Sequence, residues 1–378
     1  SARLQLISPL IGLEGEVRMT VATFRSGPLK PVLAGLLMTW LAACAGRPAP
    51  APPAAAAAPS APAQSTAMAE TAPSPTTTGA SFADWLQGVR QEAASQGVSQ
   101  QTLDAALAGL EPDQKVLDLD RSQPEFTITF AQYAAKTVTK QRIDQGRSLL
   151  EQYRPLLEKI SQAYGVQPQY IVALWAIESD YGRFTGGYSV IGSLATLAYG
   201  SSRQEMFRTE LIDALTILQQ KNITPEAMTG SWAGAMGQCQ FMPSSYLKYA
   251  VDYTGDGRRD IWTNEADVFA SIANYLASNG WRADRGWGRP VRLPPGFPES
   301  YIGWKDDRPL REWQSLGLRN PDGSPLPATD EPAALVAPDG LTGPAWLTTS
   351  NFKVIMKWNR STYFATSVGL LADGIAGG

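Results

Sequence analysis

The sequence contains no histidine in its 378 residues, and it contains only two cysteines, Cys44 and Cys239. Without histidine, Ser-His-Asp and Cys-His catalysis are excluded, and so are the usual histidine-containing catalytic zinc sites. Carboxylates, tyrosines, lysines, cysteine and backbone groups remain for proton transfer, so carboxylate chemistry is the leading expectation. A nucleophilic Cys239 would need a neighbouring base to form its thiolate. Because histidine is absent, we expect Cys239 to be a small packing residue.

The sequence also lacks a large excess of charge of either sign. It has 32 lysines and arginines against 35 aspartates and glutamates, which gives a formal net charge of −3. This balance provides no electrostatic footprint for nucleic acid, so we expect no nucleic-acid partner. Aromatic residues are plentiful instead, with eleven tryptophans and thirteen tyrosines. Their flat rings suit sugar faces as well as a protein core, and we expect most of them to lie in the core.

The apolar run at residues 32–41 is shorter than the ~20 residues that a transmembrane helix needs. It follows Arg25 and Lys30, and it leads into the small residues of Leu41-Ala-Ala-Cys44. A basic start, an apolar middle and a small-residue end predict a secretory signal. The Leu-Ala-Ala-Cys ending also resembles the lipobox of bacterial lipoproteins.

The lipobox resemblance implies that Cys44 becomes the lipidated first residue of the mature protein. Ala45 is not an inner-membrane retention signal, so we expect an outer-membrane lipoprotein that faces the periplasm of a Gram-negative envelope. Acyl chains on Cys44 would bind the membrane firmly, because each buried CH₂ contributes about 0.8 kcal/mol. Met19 is then the expected start, and residues 1–44 comprise an upstream extension and a signal peptide. An ordinary cleaved signal with an incidental cysteine is the alternative.

The composition changes twice along the rest of the chain. Residues 45–80 are rich in alanine and proline, which predicts a disordered tether. At about 3 Å per residue, roughly 35 such residues would reach on the order of 100 Å when stretched. Residues 81–290 show helical periodicity and are expected to form a helical catalytic region. Residues 291–378, which prolines and glycines divide into short pieces, are expected to form a small mixed region packed on it.

The predicted fold class is therefore mainly α, with a small β contribution. Hydrophobic periodicity predicts helices at residues 82–89, 103–110, 126–138, 143–164, 168–181, 204–219, 225–232, 267–279 and 363–373. Short strands are predicted at residues 291–293, 334–337 and 352–358. The aromatic residues that continue through this last part should pack it on the helical body.

Glu178 is the most informative single residue, because it is the lone acid at the end of the apolar run that starts at Ile171. Pro168 suits the first turn of a helix and Gly182 suits its end. Burial and the negative end of the helix dipole would both raise the pKa of Glu178. A glutamic acid that stays protonated near neutral pH can act as a general acid. The alternative is a structural ion pair with an arginine, for which Arg183 and Arg203 are candidates.

A second segment, residues 230–246, combines small residues with neutral hydrogen-bonding groups. Ser231, Gln238 and Gln240 supply those groups, and alanines and glycines separate them. Neutral donors and acceptors beside apolar surface suit a carbohydrate ligand. The alternative is a tightly packed pair of helices.

Taken together, several motifs resemble the membrane-bound lytic transglycosylase B family over about residues 82–375. They are Glu178-Ser-Asp-Tyr-Gly, Gly230-Ser-Trp-Ala-Gly-Ala-Met-Gly, Gln240-Phe-Met-Pro-Ser-Ser-Tyr, Asp256-Gly-Arg-Arg-Asp-Ile-Trp, Ser271-Ile-Ala-Asn-Tyr and Trp358-Asn-Arg-Ser. The resemblance implies a lysozyme-like helical core with an additional helical lobe and a small β-containing lobe. It also implies cleavage of the MurNAc-GlcNAc bond of peptidoglycan with formation of a 1,6-anhydro ring. Glu178 would act first as the acid and then as the base.

The same resemblance assigns the other site residues. The substrate-binding positions that it implies are Ser231, Gln240, Arg203, Asn359, Tyr363 and Met236. Arg203 would belong to an arginine pair whose other position is Ser202 here, which weakens that contact. We expect a monomer whose partners are peptidoglycan glycan strands and the membrane.

Two other functions stay open at this stage. A hydrolysing muramidase would need a second carboxylate beside Glu178. The candidates for that group are Asp180, Glu205 and Glu210. A non-catalytic peptidoglycan-binding lipoprotein is the alternative from a different class.

The last motif is a loop that resembles the start of an EF-hand. Its expected calcium ligands are Asp252, Thr254, Asp256, the backbone carbonyl of Arg258, and Asp267. Thr263 stands where a bidentate glutamate normally completes such a site. No cofactor is required for the chemistry, so calcium would be structural. The alternative is an Asp-Gly turn held by its own hydrogen bonds.

Overall fold

The computed structural model describes residues 81–121 and 128–377. The predictions for the signal peptide, for lipidation at Cys44 and for the tether at residues 45–80 lie outside these described ranges. Within them, no helix is both long and apolar enough to cross a membrane.

Fourteen α-helices form most of the described chain. The first seven are α1 Phe82–Ser95, α2 Gln100–Leu107, α3 Gln114–Arg121, α4 Phe130–Thr137, α5 Lys140–Gln152, α6 Arg154–Tyr164 and α7 Pro168–Ser179. The others are α8 Val190–Gly200, α9 Gln204–Gln219, α10 Pro243–Tyr249, α11 Glu265–Ser278, α12 Leu310–Ser315, α13 Ser350–Trp358 and α14 Thr362–Ala376. With only short strands beside them, they confirm the predicted mainly α fold.

Helix α7 lies at the centre of the helical body. Its residues from Tyr170 to Ala176 are all buried, as expected for a helix that is apolar on every side. Helices α5, α6, α11 and α14 pack around it. Pro168 occupies its first turn, where a missing backbone N–H costs nothing. The body therefore holds α7 on all sides, and the end of this helix carries Glu178.

Two antiparallel sheets accompany the helices. The first pairs β1, Tyr188–Ser189, with β2, Thr229–Gly230. The second has the order β3-β6-β5-β4 and consists of β3 Gly288–Val291, β4 Arg308–Pro309, β5 Pro332–Val336 and β6 Ala345–Thr348. One of its faces packs on the helical body through Val336 and Trp346, while Leu335 and Leu347 belong to a separate small core with Trp313.

The C-terminal aromatic residues pack on the helical body as predicted, with Trp346 against Phe130 and Trp287. The prediction of a strand at residues 352–358 was wrong, because this segment is the body of helix α13. Its Val and Ile residues suggested a strand, but Thr349 caps a helix there and accepts a hydrogen bond from the Asn351 N–H.

Two other boundaries also differ from the prediction. The helix expected at residues 225–232 is absent, since Thr229–Gly230 pairs as strand β2. The helix expected at residues 143–164 is divided at Tyr153, which ends α5 and precedes α6. Pro155 lies in the first turn of α6, where its missing N–H is tolerated. In the interior of one long helix it would not be tolerated, so the predicted helix is divided here.

Candidate active site

Glu178 lies in the last turn of α7 and is 8% exposed. Its Oε1 accepts a hydrogen bond from the indole Nε1 of Trp358 at 2.7 Å. Trp358 is the last residue of α13, so two helices that are remote in sequence meet at the carboxyl group. The Trp358 ring in turn contacts Tyr275 and Phe241, with ring centroids 4.6 and 5.2 Å apart. An aromatic wall therefore surrounds one side of the acid.

Burial raises the pKa of Glu178 to about 8, and the hydrogen bond from Trp358 opposes that rise. The carboxyl group is therefore mostly protonated at neutral pH. The alternative of an ion pair with Arg183 or Arg203 was wrong. Arg183 pairs with Asp180, and Arg203 pairs with Asp120. No basic side chain within the described ranges pairs with Glu178, so desolvation dominates and raises its pKa.

The turn after Glu178 has an unusual backbone. Asp180, Tyr181 and Gly182 have φ values of 51°, 62° and 79°, all in the left-handed region. Asp180, rather than the expected Gly182, is the residue that ends α7. Such a conformation is costly for non-glycine residues and persists only when its surroundings hold it.

Several side chains provide that support. Arg142 and Arg183 both pair with the Asp180 carboxylate. The Tyr181 hydroxyl donates to the Arg142 carbonyl, and the Ser179 hydroxyl donates to the Gln238 carbonyl at 2.8 Å. The Asp180 carboxylate is therefore committed to positioning the turn.

Residues 230–241 form a compact loop, so the alternative of a packed helix pair was wrong. Met236 and Phe241 exchange both backbone hydrogen bonds, at 2.8 and 3.1 Å. A Cβ atom added at Gly186 would lie 2.0 Å from the Gly230 carbonyl oxygen. The glycines are thus required because one backbone segment passes directly over another.

Gln240 connects this loop to the one that follows Glu178. Its Nε2 donates to the carbonyls of Thr185 and Gly237 at 3.0 and 2.9 Å. Gln238 is structural, because its Oε1 accepts from Trp175 and its Nε2 donates to the Trp262 carbonyl. Gln240 is partly buried, so the two glutamines have different environments.

The other predicted substrate residues have distinct surroundings. The buried Ser231 accepts a hydrogen bond from the Ala235 N–H. Met236 has no exposed surface, so we assign it to the core and correct its predicted role in substrate binding. Arg203 is held by Asp120 over the Phe207 ring.

The remaining two lie beside Trp358 and α4. Asn359 follows Trp358 directly, is buried, and accepts a hydrogen bond from the Ser361 N–H. The Tyr363 hydroxyl donates to Asp339 at 3.2 Å, and its ring contacts those of Phe130 and Tyr133.

Tyr133 is a site residue that sequence reasoning did not identify. It lies on α4, and burial together with the charge of Glu178 raises its pKa to about 12. Its ring centroid is 5.8 Å from that of Tyr363. No motif surrounds Tyr133 in the sequence, and only the packing of α4 brings it near Glu178.

The three carboxylates proposed as a second catalytic group are differently placed. Asp180 is paired with two arginines, as described above. Glu210 accepts hydrogen bonds from the N–H and hydroxyl of Ser244, and burial raises its pKa. Glu205 is exposed on the first turn of α9. None of the three has a described contact with Glu178.

The expected calcium loop is held by hydrogen bonds to its own backbone. The fully buried Asp267 accepts from the N–H groups of Tyr253, Thr254 and Asp260. Asp252 likewise accepts from the three N–H groups of residues 255–257. Across the described ranges, no three Asp, Glu or Cys side chains gather closely enough to hold a metal. This geometry matches the alternative of a self-stabilised turn, although the oxygen donors are chemically suited to calcium.

The fold and the isolated acid define the lysozyme-like class of lytic transglycosylases. The chain belongs to the family described as the transglycosylase SLT domain (SLT_2), which it matches over residues 81–373. It is 34% identical to membrane-bound lytic murein transglycosylase B of Escherichia coli K12 over 247 residues. That alignment covers 65% of this chain and 66% of the relative, just under two thirds of the relative's length.

Two solved structures extend the comparison. SltB3 from Pseudomonas aeruginosa in complex with NAG-anhNAM-pentapeptide matches with a TM-score of 0.76 and 45% identity, over 79% of this chain and 80% of that one. The E. coli lytic transglycosylase Slt35 in complex with calcium matches with a TM-score of 0.66 and 32% identity, over 77% and 91% of the two chains. The comparisons confirm the family, the fold class and the enzyme class predicted from the sequence.

Proposed function

We propose that this protein cleaves the MurNAc-GlcNAc bond of peptidoglycan and leaves a 1,6-anhydro-MurNAc end, with Glu178 as its only acid and base. The observation that carries this proposal is the neutral, desolvated carboxyl group of Glu178, whose one described polar partner is Trp358. Relatives named as lytic transglycosylases, and the SltB3 complex with an anhydro-muramyl peptide, support it.

In the first step, Glu178 donates its proton to the glycosidic oxygen while the bond from that oxygen to C1 of MurNAc breaks. The indole of Trp358 can only donate a hydrogen bond, so Oε1 of Glu178 must be the acceptor. The proton of the neutral acid is therefore favoured on Oε2. The positive charge that develops at C1 is stabilised by the acetamido group of the same sugar. A protein nucleophile is therefore not needed, unlike in an ordinary retaining glycosidase.

In the second step, the Glu178 carboxylate removes the proton from the muramyl C6 hydroxyl as that oxygen bonds to C1. A carboxylate whose pKa is about 8 is a much stronger base than an ordinary glutamate. The same burial thus serves both steps, since it keeps the acid protonated at the start and makes the carboxylate basic after the first transfer. The proton returns to Glu178, which is ready for another cycle.

We assign substrate contacts to Ser231, Gln240, Asn359 and Tyr363, and a weaker one to Arg203. Gln240 lies two residues after Gln238, whose carbonyl accepts from Ser179, and Asn359 directly follows Trp358, which bonds to Glu178. Arg203 is already paired with Asp120, so its contact with substrate would require a shared or exchanged ion pair. Substitution of any of these residues should reduce the turnover of glycan strongly and the stability of the protein only slightly.

Mass spectrometry of peptidoglycan digested by the purified protein tests the reaction. Anhydro-muramyl ends are expected from the wild type, and the Glu178→Gln variant should release none. Reducing muramyl ends would instead indicate a hydrolysing muramidase with a second carboxylate. Binding to peptidoglycan without any cleavage by the wild type would indicate the non-catalytic alternative.

The membrane-bound relative supports a location in the cell envelope. We propose more specifically a monomer tethered to the outer membrane through lipidated Cys44 and facing the periplasm. A Cys44→Ala variant should then move from the membrane fraction to the soluble fraction of cells. Light scattering of the soluble enzyme should give the mass of one chain.

We also propose a structural calcium ion in the loop from Asp252 to Asp267, supported by the calcium complex of Slt35. Asp252, Thr254, Asp256, the Arg258 carbonyl and Asp267 would supply hard oxygen ligands. Asp252 and Asp256 also accept hydrogen bonds from backbone N–H groups of the loop, and each carboxylate has further lone pairs for the ion. The ion would stabilise the loop and take no part in the chemistry.

A further inference from the structure

A cavity of about 310 Å³ lies beside the four-stranded sheet. It is lined by the buried side chains of Leu310, Ala333 and Leu347. It is also lined by four charged residues, Asp284, Arg285, Arg289 and Glu331. We call it the sheet cavity. Its volume is at the lower end of the range for small-ligand pockets. Its lining is more polar than that of most such pockets, because a small apolar floor lies beside the four charged residues.

The sheet register places the opposite charges at opposite ends of this cavity. Arg289 on β3 pairs with Leu347 on β6, which pairs with Leu335 on β5, so these three lie on one face. Glu331 lies four residues before Leu335, and because side chains of a strand alternate between the two faces, both residues belong to the same face. The backbones of Arg289 and Glu331 are thus about 10 Å apart across the strands and about 13 Å apart along them.

These charged groups have few partners within the protein. Arg289 and Glu331 make no side-chain hydrogen bond or ion pair with any residue in the described ranges. Arg285 bonds through one terminal guanidinium nitrogen to Asp284 at 3.4 Å, whereas its Nε is buried and lacks a hydrogen-bond partner within the same ranges. A buried donor left unpaired is costly, and a charged one more so. A ligand with a carboxylate at one end and an amine at the other would satisfy both ends of the cavity.

The position of the cavity relates it to the catalytic acid. Thr349 lines the cavity and directly precedes α13, whose last residue Trp358 contacts Glu178. A helix of this length spans about 13 Å. An extended pentapeptide spans roughly 17 Å. A peptide stem attached to the muramyl sugar beside Glu178 is therefore long enough to bring its distal residues to the cavity.

We propose that the sheet cavity binds the distal part of a peptidoglycan stem peptide, with a carboxylate at Arg285 and Arg289 and an amine at Glu331. The aliphatic part of the peptide packs on Leu310, Ala333 and Leu347. This proposal rests on the proposed function, because it names the part of the same substrate that lies beyond the glycan.

Titration of the free stem pentapeptide into methyl-labelled protein provides the direct test. The methyl resonances of Leu310, Ala333 and Leu347 should shift. Arg289→Gln and Glu331→Gln should each weaken binding about tenfold, since a charge-assisted hydrogen bond is lost. The matched control is Arg292→Gln, which removes the same charge from an exposed position beyond the end of β3.

Modified peptides separate the two ends. Amidation of the carboxylates should weaken binding to the wild type and leave Arg289→Gln unaffected. Acetylation of the amine should weaken binding to the wild type and leave binding to Glu331→Gln unaffected. An unshifted spectrum at millimolar peptide, or binding by both variants as tight as binding by the wild type, would refute the proposal.

Digestion assays keep this proposal distinct from the proposed reaction. Both variants should cleave peptide-free glycan at the wild-type rate and peptide-bearing glycan more slowly. Wild-type rates on both glycans would overturn only the stem-peptide proposal. Failure of the wild type to cleave either glycan would overturn the proposed reaction, and the peptide titration would still report on the cavity.

Discussion

The indole Nε1 of Trp358 lies 2.7 Å from Oε1 of Glu178, and this hydrogen bond joins the end of α13 to the end of α7. The bond favours the charged carboxylate, whereas burial favours the neutral acid. The acid therefore has a pKa of about 8 as the result of two opposed effects. The hydrogen bond from Trp358 can be removed by substitution.

The Trp358→Phe variant should shift the pH dependence of the enzyme. In the wild type, kcat should fall above about pH 8 as Glu178 loses its proton. Without the indole donor the pKa of Glu178 rises further, so the fall should begin at a higher pH. We also expect kcat to drop about tenfold or more, because the carboxyl group loses its orientation.

The pH profile of kcat distinguishes positioning from a structural defect in this variant. Trp304→Phe, at a partly buried tryptophan packed on the same core, is the matched control. Its profile should coincide with that of the wild type. A Trp358→Phe enzyme with reduced kcat and an unmoved alkaline limb would show that the hydrogen bond does not tune the acid.

The Glu178→Gln variant should be more stable than the wild type at alkaline pH. The pKa of Glu178 is about 8 in the folded protein and near 4.5 when unfolded, so the folded state holds the proton more tightly. This contribution is fully present below about pH 4.5 and is lost as the pH rises through 8. The stability difference should therefore grow across that window, to the order of a few kcal/mol at pH 8.

Thermal or urea unfolding at pH 5, 6.5 and 8 measures this difference. Glu205→Gln removes an exposed carboxylate from α9 and should leave the pH dependence of stability unchanged. A constant difference between Glu178→Gln and the wild type across the three pH values would mean that Glu178 ionises normally.

Asp339 should control the position of α4, which carries Tyr133. Its carboxylate accepts hydrogen bonds from the N–H groups of Phe130 and Ala131, and from the Tyr363 hydroxyl. Phe130 is the one buried residue of α4, so few other contacts hold this helix. We expect Asp339→Ala to speed amide exchange at residues 130–137 and to lower kcat/KM about tenfold.

The control for this prediction is Asp322→Ala, which removes an exposed carboxylate that bonds only within its own turn. It should leave both measurements unchanged. Unaltered exchange of α4 in Asp339→Ala would show that Phe130 and the adjoining rings suffice to hold the helix.

The sequence was sufficient to predict the parts of the site that are local in the chain. The position of Glu178 in an apolar helix that begins with Pro168 indicates that this acid is buried. The small residues around Gly230 indicate close backbone contact. Tyr133 and the indole of Trp358 reach Glu178 only through the packing of α4 and α13 on the body. The segment of α13 itself was predicted as a strand, because Val354 and Ile355 suit either structure.

The calcium loop gives the last prediction. If calcium binds with Asp267 and its neighbours, its addition should raise the melting temperature, and excess chelator should reverse the change. Burial raises the pKa of Asp267, so a bound cation would also relieve a destabilised carboxylate. Asp256→Asn keeps the size of an exposed ligand and reduces its charge, and it should weaken the response to calcium. A melting temperature that ignores both calcium and chelator would leave the backbone hydrogen bonds of Asp252 and Asp267 as the sole support of the loop.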